Sequence, residues 1–254
     1  MKEFNRALIT GATSGIGKAL AELLAQKGIP LILTGRNFSK LEEIRRALNK
    51  KVPVEILVAD LGIKEDRESI VKFLRDTQVD LLINNAGFGY YGSVLSRETS
   101  DWLNMLEVDV AAVLELTVEG AKALTTRGQR GIIMNISSAA AFQIFPHLAV
   151  YAASKAFLNS FSQSLDYDLK PQGIRVLIAC PGKVATAFRA RASGRALSVR
   201  AEGLFMSVEY AAKSIWNQIQ NEKRLHIFDW RYRLGTYLSY LIPNAWLVKI
   251  TKAL

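Results

Sequence analysis

A serine, a tyrosine and a lysine at Ser138, Tyr151 and Lys155 have the types and the spacing for proton and hydride chemistry. If the residues after Pro146 form a helix, Tyr151 and Lys155 stand four apart on one face. A phenol titrates near ~10 in water, and an ammonium a few ångströms away favours the phenolate. The pair thus makes a tyrosine usable as an acid or base near neutral pH. Ser138 closes the group. It follows the apolar run 131–136, and a hydroxyl at the mouth of a parallel sheet can donate to a carbonyl oxygen. A tyrosine and a lysine four apart are a common surface pattern by themselves, so the assignment depends on the elements around them.

The first such element is at the other end of the chain. Residues 10–17 read TGATSGIG, directly after the apolar run 7–9 and directly before the periodic Ile16, Leu20, Leu23 and Leu24. Strand, glycine-rich turn and helix in that order make a phosphate-binding βα unit. Gly11 permits the tight turn, Gly15 lets a pyrophosphate approach the backbone, and Gly17 lets the helix lie close on the strand. After the helix, the buried strand 30–34 is followed by Gly35 and Arg36, where an adenosine ribose would lie. An acid there would bond a 2′-hydroxyl, whereas an arginine suits a 2′-phosphate, which points to NADP(H). The plainer alternative is that Arg36 caps the loop before a helix over 39–49.

Further along stand Asn84-Asn85-Ala86-Gly87, at the end of an apolar run 80–83, and Pro181-Gly182-Lys183-Val184-Ala185-Thr186, after the run 173–179. With TGATSGIG, Ser138, Tyr151 and Lys155 in the same order, the chain resembles the short-chain dehydrogenase/reductase family over roughly residues 5–228. The resemblance implies a single α/β domain, a Rossmann-type doubly wound parallel sheet with helices on both faces. It implies hydride transfer between a nicotinamide and a carbonyl or alcohol, with Ser138 orienting the oxygen, Tyr151 moving the proton and Lys155 bonding the nicotinamide ribose. The cofactor positions carried over are Gly11, Thr13, Ser14, Gly15, Ile16, Gly17, Arg36, Asp60, Leu61, Asn85, Ala86, Gly87, Tyr151, Lys155, Pro181, Gly182, Val184 and Thr186. Asp60-Leu61, after the strand 54–58, is placed at the adenine; Val184 and Thr186 are placed at the nicotinamide carboxamide.

One position departs from the family. Residues 100–126 are apolar at helical spacing, and Asp109 in LEVDVAAV stands where the family usually has an asparagine that holds a proton-relaying water. An aspartate can accept that water's hydrogen bonds, but its charge raises the lysine pKa and opposes the lysine's effect on Tyr151. By the resemblance, this helix and the one carrying Tyr151 pair across a subunit interface, implying a homodimer or homotetramer. Phe88, Tyr90 and Tyr91 are candidates for a substrate-facing wall. Residues 187–206, with Arg189, Arg191 and Arg195, resemble a substrate lid.

Composition bounds the rest. The chain has 254 residues, half of them hydrophobic, enough for one sizeable core, and no linker-like stretch divides it. One cysteine, Cys180, rules out an intrachain disulfide, sits at the end of an apolar run as a small buried side chain, and fits a reducing, cytoplasmic setting. The amino terminus looks like a first strand rather than a secretory signal. The net charge of +10 favours anionic partners, but no nucleic-acid-binding motif accompanies it. His147 and His226 lack the spacing of a metal site. The tail 229–254 mixes Trp230, Tyr232, Tyr237, Tyr240 and Trp246 with Arg231, Arg233, Lys249 and Lys252. Its apolar stretch is shorter than the ~20 residues of a spanning helix. Such a tail fits either a peripheral contact with an anionic membrane or a fold over the cleft or a neighbouring subunit. The functional expectation is an NADP(H)-dependent oxidoreductase of an apolar substrate, ketoacyl, steroid-like or otherwise lipid-like. The alternative is a catalytically weak NADP-binding or regulatory protein of the same fold.

Overall fold

A computed structural model describes residues 2–186, Phe188, Ala192 and 205–239, the side chains of 238 and 239 excepted. Most of the expected lid, with Arg189, Arg191 and Arg195, and the tail beyond 239, with Tyr240, Trp246, Lys249 and Lys252, lie outside the described residues.

The chain alternates strands and helices: β1 (Ala7–Thr10), α1 (Gly15–Gln26), β2 (Leu31–Gly35), α2 (Phe38–Leu48), β3 (Val54–Val58), α3 (Lys64–Asp76) and β4 (Leu81–Asn84). Then come α4 (Thr99–Leu106), a π-helical turn (Glu107–Ala111), α5 (Ala112–Thr126), β5 (Gly131–Ile136), α6 (Ala149–Leu169) and β6 (Ile174–Cys180). The last elements are α7 (Val208–Gln220), β7 (Leu225–Ile227) and α8 (Trp230–Ser239). The strands form a seven-stranded sheet in the order β3-β2-β1-β4-β5-β6-β7, every neighbouring pair parallel. This is the doubly wound sheet that the family resemblance implies, with strand boundaries moved by a residue or so.

The strands are continuous apolar runs because both faces of the sheet are covered. Alternate side chains of one strand enter different cores. Ile9, Leu33 and Ile83 pack under α1, α2 and α7, whereas Leu8, Ile32 and Leu82 pack under α3 and α5. A buried polar network pins the centre. The Asn84 amide donates to Thr117 Oγ1 at 3.0 Å and to Asn135 Oδ1 at 2.8 Å, and the Asn135 amide donates to Ser162 Oγ at 2.9 Å. These bonds join β4, β5, α5 and α6 at one depth, so the strand ends and the two central helices keep a fixed offset.

The expected unbroken helix over 100–126 is interrupted. Residues 107–111 form a wider π turn between α4 and α5, which inserts an extra residue and leaves Val108 and Asp109 both buried. Such bulges re-aim a side chain without ending the helix, and here the side chain is that of Asp109.

Candidate active site

Every loop leaving the carboxyl ends of β1, β4, β5 and β6 contributes to one cleft, where open parallel sheets bind ligands. The turn between β1 and α1 is built for an anion. Gly11 and Gly15 hold φ of +65° and +54°, and a Cβ on Gly17 would lie 2.4 Å from the Gly11 carbonyl oxygen. Ser14, at the N-cap, makes no side-chain capping bond, and the first turn of α1 carries no acidic residue. Its backbone donors and the helix dipole are therefore open to an external phosphate, and this part of the cleft fits a dinucleotide.

The other expected cofactor residues divide into two groups. Facing the cleft are Thr13, whose Cγ2 would be 2.9 Å from a Cβ on Gly35, and Thr186, whose Cγ2 would be 3.1 Å from a Cβ on Gly15. Arg36 is also available: its side chain is 67% exposed and pairs with Asp60 at 3.5 Å, a loose surface contact. Others are engaged in the frame. Asn85 donates its amide to the Thr10 and Gly11 carbonyls, Ala86 N–H donates to Thr10 Oγ1, and Leu61 is buried with its carbonyl accepting from Arg67. Ile16 packs against the core beneath α1, and Pro181 O accepts from Ala139 N at 2.8 Å. Val184 bridges to Met206, which steadies the strip leading to Thr186.

At the centre, α6 places Tyr151 and Lys155 on its buried face, as their spacing predicts, and the end of β5 brings up Ser138. The Ser138 hydroxyl accepts from Ala140 N at 3.1 Å and lowers the pKa of the Tyr151 phenol. Lys155 Nζ lies 5.6 Å from the Tyr151 ring centroid and 3.0 Å from Asp109 Oδ2. The approach to Oδ2 is off the hydrogen-bond direction, so the contact is best described as an ion pair. Asp109 is fully buried, and its Oδ1 accepts from Phe88 N at 3.0 Å. Gly87 is needed here, because a Cβ would stand 3.0 Å from Asp109 Oδ1 and 3.2 Å from Lys155 Nζ.

The charges of this buried group oppose one another. Burial works against the Lys155 ammonium, but Asp109 and Tyr151 outweigh it and hold the lysine above its usual value. Burial lifts the Asp109 carboxyl above the ordinary range, against the pull of Lys155 and the Phe88 amide. A 3.0 Å contact with a backbone donor on the other carboxylate oxygen supports both charges, so the pair stands as ammonium and carboxylate. For Tyr151, burial raises the phenol and Asp109 adds to it, while Lys155 and Ser138 lower it; the net direction is upward. The opposition of Asp109 to the lysine is the one expected from the sequence, and burial adds to it. Without its carboxylate partner the lysine would act more strongly. Cys180, close by at the end of β6, is pushed up to about 12 by burial and is chemically quiet, as expected.

An apolar wall adjoins the phenol. Trp102 and Met105 are buried with Tyr151, and Phe88, Tyr90, Leu148 and Phe188 pack against them. Phe188 lies on the Tyr151 ring at 5.3 Å between centroids, and Tyr90 stands edge-on to both Phe88 and Trp102 at 5.5 Å. Phe88 and Tyr90 pack in this cluster beside Tyr151. Tyr91 does not, being 54% exposed beside His147. Phe188 carries no sequence signal, since its segment is marked only by Ala and Arg. No cluster of metal-ligating side chains occurs among the described residues.

The sequence matches the short chain dehydrogenase family over residues 5–195. Hydroxysteroid dehydrogenase-like protein 1 of Gallus gallus is 35% identical over 253 residues, covering 96% of this chain and 74% of that protein. A very-long-chain 3-oxoacyl-CoA reductase-like protein of Arabidopsis thaliana is 33% identical over 246 residues, covering 94% and 77%. Among solved structures, a short-chain dehydrogenase from Sphingobium yanoikuyae in complex with NADPH superposes with a TM-score of 0.83 at 28% identity, over 93% of this chain and 94% of that one. Sheet order, cleft and family match agree: the chain belongs to the short-chain dehydrogenase/reductase family, oxidoreductases acting on CH–OH groups with a nicotinamide cofactor.

Proposed function

We propose that this chain is an NADP(H)-dependent oxidoreductase of apolar carbonyl and alcohol substrates. The observation that carries the reading is the aromatic wall against Tyr151, which offers a substrate apolar contact on the side where the phenol and Ser138 meet its oxygen. Relatives named for hydroxysteroid and very-long-chain 3-oxoacyl substrates support the same class. A bound nicotinamide dinucleotide supplies or accepts the hydride. Ser138 donates to the substrate oxygen and fixes its direction. Tyr151 gives that oxygen a proton in reduction and takes it back in oxidation, and the Lys155 ammonium stabilises the phenolate left behind. Arg36, exposed and loosely paired, is assigned to the 2′-phosphate; the NADPH-bound relative favours this choice.

Two surfaces extend the proposal. The outer faces of α5 and α6 carry the exposed Leu114 and Phe157, with Phe157 stacked on Phe161 at 5.6 Å, which suits a homodimer or homotetramer. On α8, Trp230, Leu234 and Tyr237 form an exposed stripe flanked by Arg231 and Arg233, the composition of a helix at an anionic lipid surface. No helix among the described residues is long and apolar enough to cross a membrane.

Tyr151→Phe should remove most turnover while leaving dinucleotide affinity nearly intact, because it deletes the proton donor and little else. Reduction within a few fold of wild type, measured on a panel of ketoacyl, steroid and bulky aliphatic ketones, would instead support the weakly catalytic binding protein. Arg36→Ala should cost roughly tenfold to a hundredfold in NADPH affinity, as for a hydrogen bond to a charged group, and almost nothing for NADH. Equal losses for both would make Arg36 structural. If α8 meets lipid, the full chain should sediment with vesicles in proportion to their anionic fraction and less at high salt, and failure to sediment at any composition would end that reading.

A further inference from the structure

The segment after β7 does more than leave the sheet. Asp229 Oδ1 accepts from Arg231 N at 2.8 Å and starts α8, and the first turn of that helix lays Tyr232 over the loop that follows β6. The Tyr232 ring sits directly on Gly182. A Cβ at 182 would lie 2.2 Å from Cε2, 2.5 Å from Cδ2 and 2.8 Å from Cζ, so no other residue fits beneath the ring as it stands. At its far end the phenol oxygen accepts from Lys183 N at 3.3 Å, and Tyr232 packs against the buried cluster that includes Cys180 and Ile227. One turn later Thr236 is 5% exposed and donates its hydroxyl to Tyr232 O at 2.9 Å. Gly235 lies against Gln143, where a Cβ would be 3.2 Å from the amide nitrogen. The inner face of α8 therefore touches two loops at once: the one after Ser138 and the one leading to Val184 and Thr186. Those loops are already tied by the bond from Ala139 N to Pro181 O.

We infer that Tyr232 is a positioning residue for the nicotinamide half of the cofactor, acting through Gly182 and Lys183 without itself touching cofactor or substrate. The inference rests on the proposed dinucleotide site and adds a residue to it. A loop whose glycine is covered by a ring and whose next amide is held by a phenol has few other conformations to visit. The strip 184–186 then starts from a fixed point, and ordering it is not charged to cofactor binding. The adenosine half, held at the β1 turn and Arg36, gains nothing from this contact.

That asymmetry supplies the test. Affinities of the full-length protein for the dinucleotide and for its nicotinamide-free fragment, 2′-phospho-ADP-ribose, are measured by calorimetry for wild type, Tyr232→Ala and Tyr232→Phe. Tyr232→Ala should weaken the dinucleotide about tenfold and leave the fragment unchanged; Tyr232→Phe, keeping the ring and losing only the hydroxyl, should lose about threefold, again for the dinucleotide alone. In kinetics the KM for the dinucleotide should rise more than kcat falls. Equal weakening of both ligands would mean that Tyr232 is merely structural, and no change in either would mean that the contact does not matter; each overturns the inference. If Tyr232→Ala does not fold, the Tyr232→Phe pair of affinities decides by the same comparison. A wild type that binds neither ligand would instead count against the dinucleotide site itself.

Discussion

An ammonium and a carboxylate buried beneath the mouth of a parallel sheet are the constraint on which the site depends. Lys155 and Asp109 are each almost wholly removed from water, and neither could remain charged there alone. Their 3.0 Å contact, with the Phe88 amide on the second carboxylate oxygen, makes the arrangement tenable. It also dictates the surroundings. The π turn between α4 and α5 aims Asp109 inward, Gly87 leaves the room that a side chain would fill, and α6 must hold Lys155 one turn from Tyr151. The charge on the phenol is set by burial together with Lys155, Asp109 and Ser138, not by the lysine alone.

Around this pair the fold acts as a frame that stops at a common level. The network from Asn84 through Asn135 to Ser162 fixes the ends of β4 and β5 against α5 and α6, and the Asn85 side chain ties the end of β4 to that of β1. Loops leaving that level form the glycine turn, the Ser138 segment and the strip to Thr186. The helix α8 closes the frame from outside by resting on two of those loops. A cofactor and substrate thus meet side chains whose places were determined by strand register and buried polar contacts.

Much of this was legible in residue order. β1, its glycine turn and α1 announce themselves, because a strand buried on both faces is an unbroken apolar run and glycine adopts the φ values at 11 and 15 without the strain of a side chain. Helical spacing puts Tyr151 and Lys155 together, and the glycine turn and the other motifs in family order single them out. The π turn was not legible: adding one residue to a helix leaves the apolar pattern of its neighbours almost unchanged. The upward direction of the Tyr151 phenol was legible only in part: the opposing charge of Asp109 could be read, but burial, the largest cause, could not. In the tail, aromatic and basic composition indicated a surface helix, but composition does not say which ring turns inward. Tyr232 and Trp230 are of one kind in sequence and lie on opposite faces in the structure.

The claim that the Asp109–Lys155 pair governs the phenol is tested most directly by the pH dependence of carbonyl reduction in wild type and Asp109→Asn. In the proposed mechanism reduction requires the protonated phenol, so the rate should fall as pH rises through the Tyr151 pKa. The Asp109 carboxylate opposes the phenolate and holds that pKa up. Removing its charge should therefore lower the phenol pKa and move the basic limb of the profile toward lower pH. A basic limb that stays in place, or moves to higher pH, would contradict the account.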